Sequence, residues 1–323
     1  MSGRLPHFGL FWVTWRQHRM ALAGVLALLG GFSIMLAISG LRIHAAYASL
    51  GIGSCRPAGS ARCGTAVGIF GHEYYTVALL MPRFLEFAPA LIGTFVGAPL
   101  LARELESGTF RFAWTQGAGR IRWLVTKLSL LGLAVTAAAL AFSAVFGWWY
   151  GPFEQYIGRM WAGQAFEVAG VVFAARTLLA FMLGALAGAV IGRVVPAMAA
   201  TLGAWFALVW PSTLLLRPHY QAPLTSRFSM VADDNSIWAL SQWWQGPDGR
   251  RISDATVRTL TRRLASRNIA PDTWLTSHRY SLWQTYQPAS RFWTFQAIES
   301  TGLLAVSLLL AAAAIWWARR GAG

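Results

Sequence analysis

The stretch APLLARELESGTFRFAWTQGAGRIRWLVTKL, Ala98–Leu128, decides how the rest of the chain is read. Arg103, Glu104, Glu106, Arg111, Arg120, Arg122 and Lys127 crowd into it, after 16 uncharged residues and ahead of 26 more. A bilayer core does not hold that density of charge, so the segment lies at or beyond a membrane face. The uncharged runs on either side are long enough to cross.

Working outward, the same logic gives six spans, over residues 20–41, 84–102, 128–149, 168–192, 196–216 and 298–318. The fold class is therefore an all-α, polytopic membrane protein. The chain is 56% apolar and only 12% charged, about half the charged fraction of an ordinary soluble domain. Its net charge of +15 could suggest nucleic acid, but no folded basic face with base-reading elements accompanies it. The charge sits at the ends of apolar runs and in one long loop, as membrane topology requires.

Residues 1–19 place Phe8, Phe11, Trp12 and Trp15 on one helical face, the spacing of a helix lying in the membrane interface. Residues 20–41 exceed the roughly 7–15 residues of a signal-peptide core, so they read as an uncleaved anchor despite the Ala46-Tyr47-Ala48 tripeptide. Residues 42–83 read as a polar loop holding Cys55 and Cys63, whose spacing suits a small disulfide loop on an oxidising face; two reduced thiols are the alternative. Residues 217–292 form a cap between the fifth and sixth spans, with ten arginines against five aspartates and several tryptophans. Within it, Ser253 is positioned to cap a helix over residues 254–267.

Lys127 is the only lysine, and Thr126 and Leu128 flank it, so no phosphate-cradling P-loop exists in the chain. No metal-ligand spacing appears, and no cofactor is expected on this chain. Glu104 and Glu106 are a nearby acid pair, yet no nucleophile or convergent histidine accompanies them, so docking suits them better than catalysis. Gly108 reads as the left-handed cap that ends their helix.

Arg103-Glu104-x-Glu106-x-Gly108-Thr109, followed by Trp114-Thr115-Gln116, Arg120 and Lys127, resembles the cytoplasmic loop of ABC-transporter permease subunits of the ABC-2 type. The arginine-rich actinobacterial permeases are the most similar. The resemblance implies that residues 103–123 form a coupling loop resting on a separate ATP-binding-cassette subunit, which would hold ATP and Mg. It further implies a homodimer or heterodimer of permeases, an interfacial helix before the first span, and export of an amphipathic substrate. Six spans put both termini on one side. The short segments of that side carry eleven Arg/Lys, against five in the two short opposite loops or eight with the cap's membrane ends, which makes the termini cytoplasmic. The expected location is the cell membrane.

Two intramembrane features remain. Glu86 and Arg176 each lie 17 residues before an arginine at the inner boundary, Arg103 and Arg193. At about 1.5 Å per residue they share a depth, and an ion pair between the second and fourth spans is expected. The alternatives are Arg176 reaching Glu167 or the head groups, and Glu86 pairing with Arg83. Gly93 and Gly97 face Gly184, Gly188 and Gly192 at similar depths, a small-residue pattern that lets helix backbones approach. Two other function classes stay open at this point: a lipid-modifying membrane enzyme, which needs charge converging inside the bilayer, and a sensor or assembly subunit with the cap as receptor.

Overall fold

No proline or glycine interrupts residues 10–23, and α1 runs unbroken from His7 to Ser49. The computed structural model describes residues 7–55, 61–108, 119–154, 164–228 and 237–320. The helix boundary expected near residue 20 is absent, and residues 7–19 continue straight into the first span; the side chains of Phe8, Phe11, Trp12 and Trp15 lie outside the described ones. At about 1.5 Å per residue, α1 is roughly 65 Å long, about twice the hydrocarbon thickness of a bilayer.

Among the described residues, six helical stretches are long and apolar enough to cross a membrane: Arg19–Ser49, Cys63–Glu106, Ile121–Phe153, Val171–Ile191, Val194–His219 and Ala289–Arg320. The second differs most from expectation. Most of residues 42–83 is helix rather than polar loop: residues 42–49 end α1, and residues 61–83 belong to α2 (Ala61–Leu85). Their charges, Arg42, Arg56, Arg62, Glu73 and Arg83, are scattered among alanines and other good helix formers, which favours helix over loop. Cys55 and Cys63 are disulfide-bonded between the two helices.

The second crossing then breaks into α3 (Ala88–Ile92), a π-helical turn at Gly93–Gly97, and α4 (Ala98–Glu106). Pro89 and Pro99 explain the breaks, because each removes a backbone donor from the helical ladder. The third crossing is α5 (Arg120–Tyr150). A short α6 (Gln164–Val168) leads into α7 (Val171–Ile191). The fifth crossing is α8 (Val194–Pro211), which loosens into a π-helical turn at Ser212–Leu216 between Pro211 and Pro218.

The cap between the fifth and sixth spans contains β1 (Leu224–Arg227), β2 (Trp238–Gln245), α9 (Asp254–Ser266), α10 (Pro271–Ser277) and β3 (Ser281–Gln287). Its antiparallel sheet has the order β1-β3-β2, with Trp243 opposite Trp283. The sequence reading assigned no strands here. The helix was legible: Ser253 accepts from the Thr256 N–H at 3.2 Å. The sixth span, α11 (Phe292–Arg320), follows directly.

The core centres on α7, which touches α3, the Gly93–Gly97 turn, α4, α5, α8 and α11. An aromatic cluster on α5, Phe142, Phe146, Trp149 and Tyr150, fills the space towards α1 and α7. Trp149 donates its indole N–H to Ser39 of α1 at 3.0 Å. The outward faces of α1, α8 and α11 expose large apolar side chains such as Leu41, Leu202 and Leu308, as lipid-facing surfaces do.

Candidate functional site: a buried charge network and a charged helix end

Two polar constellations stand out, one at each end of the bundle. The first begins at the break before α7. Gly170 adopts φ +72 there, and a Cβ at this position would lie 2.7 Å from Gln296 Oε1. Only glycine fits both constraints. Gln296 of α11 reaches into the break: its amide donates to the carbonyls of Phe166 and Ala169 at 3.1 and 3.0 Å, and its oxygen accepts from the Val172 N–H at 2.9 Å. Ser143 donates to the Gly170 carbonyl at 2.6 Å. The polar groups exposed by the break are thereby satisfied inside the protein, as apolar surroundings demand.

This break directs Glu167 towards Arg176, one and a half turns into α7. Arg176 pairs with Glu167 and, through Nη2, with Glu299 Oε1 at 2.6 Å. Arg217, at the end of the fifth crossing, pairs with Glu167 at 2.7 Å and donates to both oxygens of Glu299 at 2.9 and 3.0 Å. Thr213 accepts from Arg176 at 3.1 Å, and the Phe166 ring lies 4.3 Å beneath the Arg217 guanidinium. All four charged side chains are buried. Two cations and two anions thus balance, with the bidentate geometry arginine provides. Tyr220 donates to Glu299 over 3.5 Å; burial, then the Glu299 charge, pushes its phenol up to about 12, so it remains a donor.

Glu86 does not join this network. Among the described residues Arg176 forms its ion pairs with Glu167 and Glu299, and Glu86 forms none. The expected Glu86–Arg176 contact is replaced because two carboxylates on adjoining segments reach the guanidinium first. Equal depth did bring the two residues near one another: both line a cavity of about 250 Å3 between the α2–α3 kink, α7 and α8. Glu86 sits in the kink between α2 and α3, where its N–H donates to Pro82 O at 2.9 Å.

Below this network, α7 meets α3 and α4 backbone to backbone. A Cβ on Gly93 would lie 2.4 Å from Ala180 O, and one on Gly97 2.5 Å from Phe181 O. A Cβ on Gly184 would lie 2.4 Å from Gly93 O and 2.5 Å from Ala98 N; on Gly188, 2.4 Å from Ala98 O. Gly192, with φ +68, is the left-handed cap of α7 and faces the Leu105 side chain.

The second constellation is the charged helix end. Lys127 is fully buried and donates to Glu104 at 2.6 Å and to the Leu100 carbonyl at 3.2 Å, with Nζ 4.5 Å above the Trp123 ring. Glu106 accepts from the Val194 N–H at 3.1 Å, supplying a partner for the first turn of α8. Arg103 is exposed, and Gly108 takes φ +69 just past the helix. The end of α4 is therefore tied to α5 through Glu104 and to α8 through Glu106. Thr109 and the segment 109–118 lie outside the described residues, as do residues 1–6; Arg120 opens α5, and its side chain is likewise outside.

Sequence reasoning missed Arg217 and Glu299 as network members and named Glu167 only as an alternative. One signal was present: Glu299 is the sole charge within residues 298–318. Among the described residues no group of His, Cys, Asp and Glu could hold a metal ion.

A family model described as ABC-2 membrane transporter related matches residues 24–217, well over half of the chain. Neither a curated protein nor a solved structure matches it.

Proposed function

The chain belongs to the ABC-2 membrane transporter related family, and from that premise we propose that this multi-pass permease is the membrane half of an ATP-driven exporter of amphipathic compounds. It sits in the cell membrane with both termini cytoplasmic. A separate ATP-binding-cassette subunit holds ATP and Mg, because the chain has no P-loop of its own. A second permease copy, identical or related, completes the pathway.

The observation that carries the coupling reading is the anchoring of the charged helix end. Glu104 and Glu106 tie α4 to α5 and α8, so a push on residues 103–123 moves three crossings together. Exposed Arg103 and the rest of the loop are left to meet the ATPase. The Glu167–Arg176–Arg217–Glu299 network is the charge convergence that a lipid-modifying enzyme would need. Its carboxylates are engaged with guanidinium groups at 2.6 to 3.0 Å, which suits holding helices together rather than moving protons.

The test is co-expression with the candidate ATPase subunit and reconstitution in vesicles. Glu104→Ala with Glu106→Ala is expected to insert normally, co-purify, and lose most substrate-stimulated ATP hydrolysis and transport. Full stimulated transport in that double variant would end the coupling assignment.

A further inference from the structure

We infer that the cavity between the α2–α3 kink and α8 is a binding site for a singly charged organic cation with an aromatic or aliphatic body; the inference rests on the permease reading and names its substrate class. The cavity, of about 250 Å3, has room for a small amphiphile, and four aromatic rings contribute to its wall. Phe87 comes from the α2–α3 kink, and Trp205, Phe206 and Trp210 from one face of α8.

Its charge is set by subtraction. Arg176 and Glu167 line it, but both belong to the network in which two arginines and two glutamates cancel. Glu86 is left. It is half-buried on the cavity wall and makes no ion pair or hydrogen bond through its carboxylate among the described residues. Arg83, one turn earlier, is exposed and forms no ion pair with it. A carboxylate in an aromatic-walled cavity attracts a cation in two ways, by charge and by the electron-rich ring faces. An anion would meet the Glu86 carboxylate beside an Arg176 guanidinium that is already paired with Glu167 and Glu299.

Two further observations shape the ligand. Trp205 is only 3% exposed, and its indole N–H has no hydrogen-bond partner among the described residues. A buried donor of this kind favours a ligand bearing one acceptor near its charge. On the rim, Trp210 and Leu214 are 58% and 61% exposed, on a face that meets lipid. The cavity therefore opens sideways into the bilayer near the cap end, and its ligand arrives from the membrane, apolar part first.

The probe is tritiated benzyltrimethylammonium, bound to full-length permease in phosphatidylcholine nanodiscs without the ATPase. Neopentylbenzene, its uncharged isostere, and benzenesulfonate serve as competitors. Saturable binding is expected, with the unlabelled cation competing at least tenfold better than either. Glu86→Gln should weaken the cation at least tenfold, and Trp210→Leu by about threefold to tenfold, the range of a partly desolvated cation–π contact. Glu86→Asp, which keeps the charge, should stay within about threefold and carries the test if the Gln variant does not fold.

Equal competition by the sulfonate or the hydrocarbon overturns the site, and so does an unchanged Kd in Glu86→Gln. Absence of saturable binding overturns it too, whether the cavity is covered by a second copy or filled by lipid. A vesicle transport assay with the ATPase separates the two readings. Glu86-dependent binding without transport strikes the exporter reading alone. Transport of the cation that ignores Glu86→Gln strikes the site alone.

Discussion

Over its first turns α7 meets its neighbours through Arg176, a long side chain ringed by two carboxylates and a threonine. At Gly184 and Gly188 it meets the Gly93–Gly97 turn and α4 backbone to backbone. Both devices answer one difficulty: lipid tails are as apolar as leucine, so burial of apolar surface does little to bring helices together in a bilayer. They answer it differently. A charge network acts through partners and can be rebalanced by removing opposite members together. A backbone contact depends on an empty space, and nothing opposite can be trimmed to restore it.

The largest effect should come from the charged half. Glu299→Gln leaves two buried guanidinium groups sharing Glu167, and breaking a buried pair in this way costs about 3–5 kcal/mol. Adding Arg217→Met should recover at least half of that loss, since charge is again balanced. Thermal unfolding in detergent measures both, and a single variant that melts like wild type would remove the network from the list of stabilising features.

Gly184→Ala comes next, at about 3 kcal/mol, the upper part of the usual range for overpacking. Its new methyl meets Gly93 O and Ala98 N, both backbone atoms, so no second substitution on α3 or α4 should rescue it. Rescue by any side-chain change there would dissolve the contrast between the two halves. Lys127→Met should cost least, about 2 kcal/mol for a charged hydrogen bond, because the Glu104 left behind retains some access to water at 12% exposure. The same melting assay ranks all three, and a Lys127 effect exceeding that of Glu299 would reverse the ordering.

The six crossings were legible because uncharged runs of sufficient length have few other uses. The glycine contact was legible for a related reason: a four-residue repeat of small side chains marks one helical stripe. Arg176 showed where a charge lay but not whom it met. Depth arithmetic is one-dimensional; it set Glu86 level with Arg176 and was blind to the proline kink that separates them. Arg217 and Glu167 stand near span ends, where charge is expected anyway and carries little signal. The sheet stayed hidden because β1 and β3 pair across most of the cap's length, and such long-range pairing leaves only a weak local pattern. At the charged helix end, Glu104 and Glu106 looked like groups facing a partner. Only the fold shows Lys127 and the Val194 amide beside them.

The cap's strands carry one more implication. Leu224, where β1 begins, lies opposite Tyr286 near the end of β3. Gln287 closes the stem by donating to the carbonyls of Pro218 and Gln221 at 3.2 and 2.8 Å, and Arg291 adds a bond to Ala222 O at 2.8 Å. The chain thus leaves the bundle and returns to it at almost one point. Everything between can be lengthened, shortened or exchanged in evolution while the crossings stay in register. The family match ends at residue 217, at the foot of that stem, so the cap and the sixth crossing both lie beyond it.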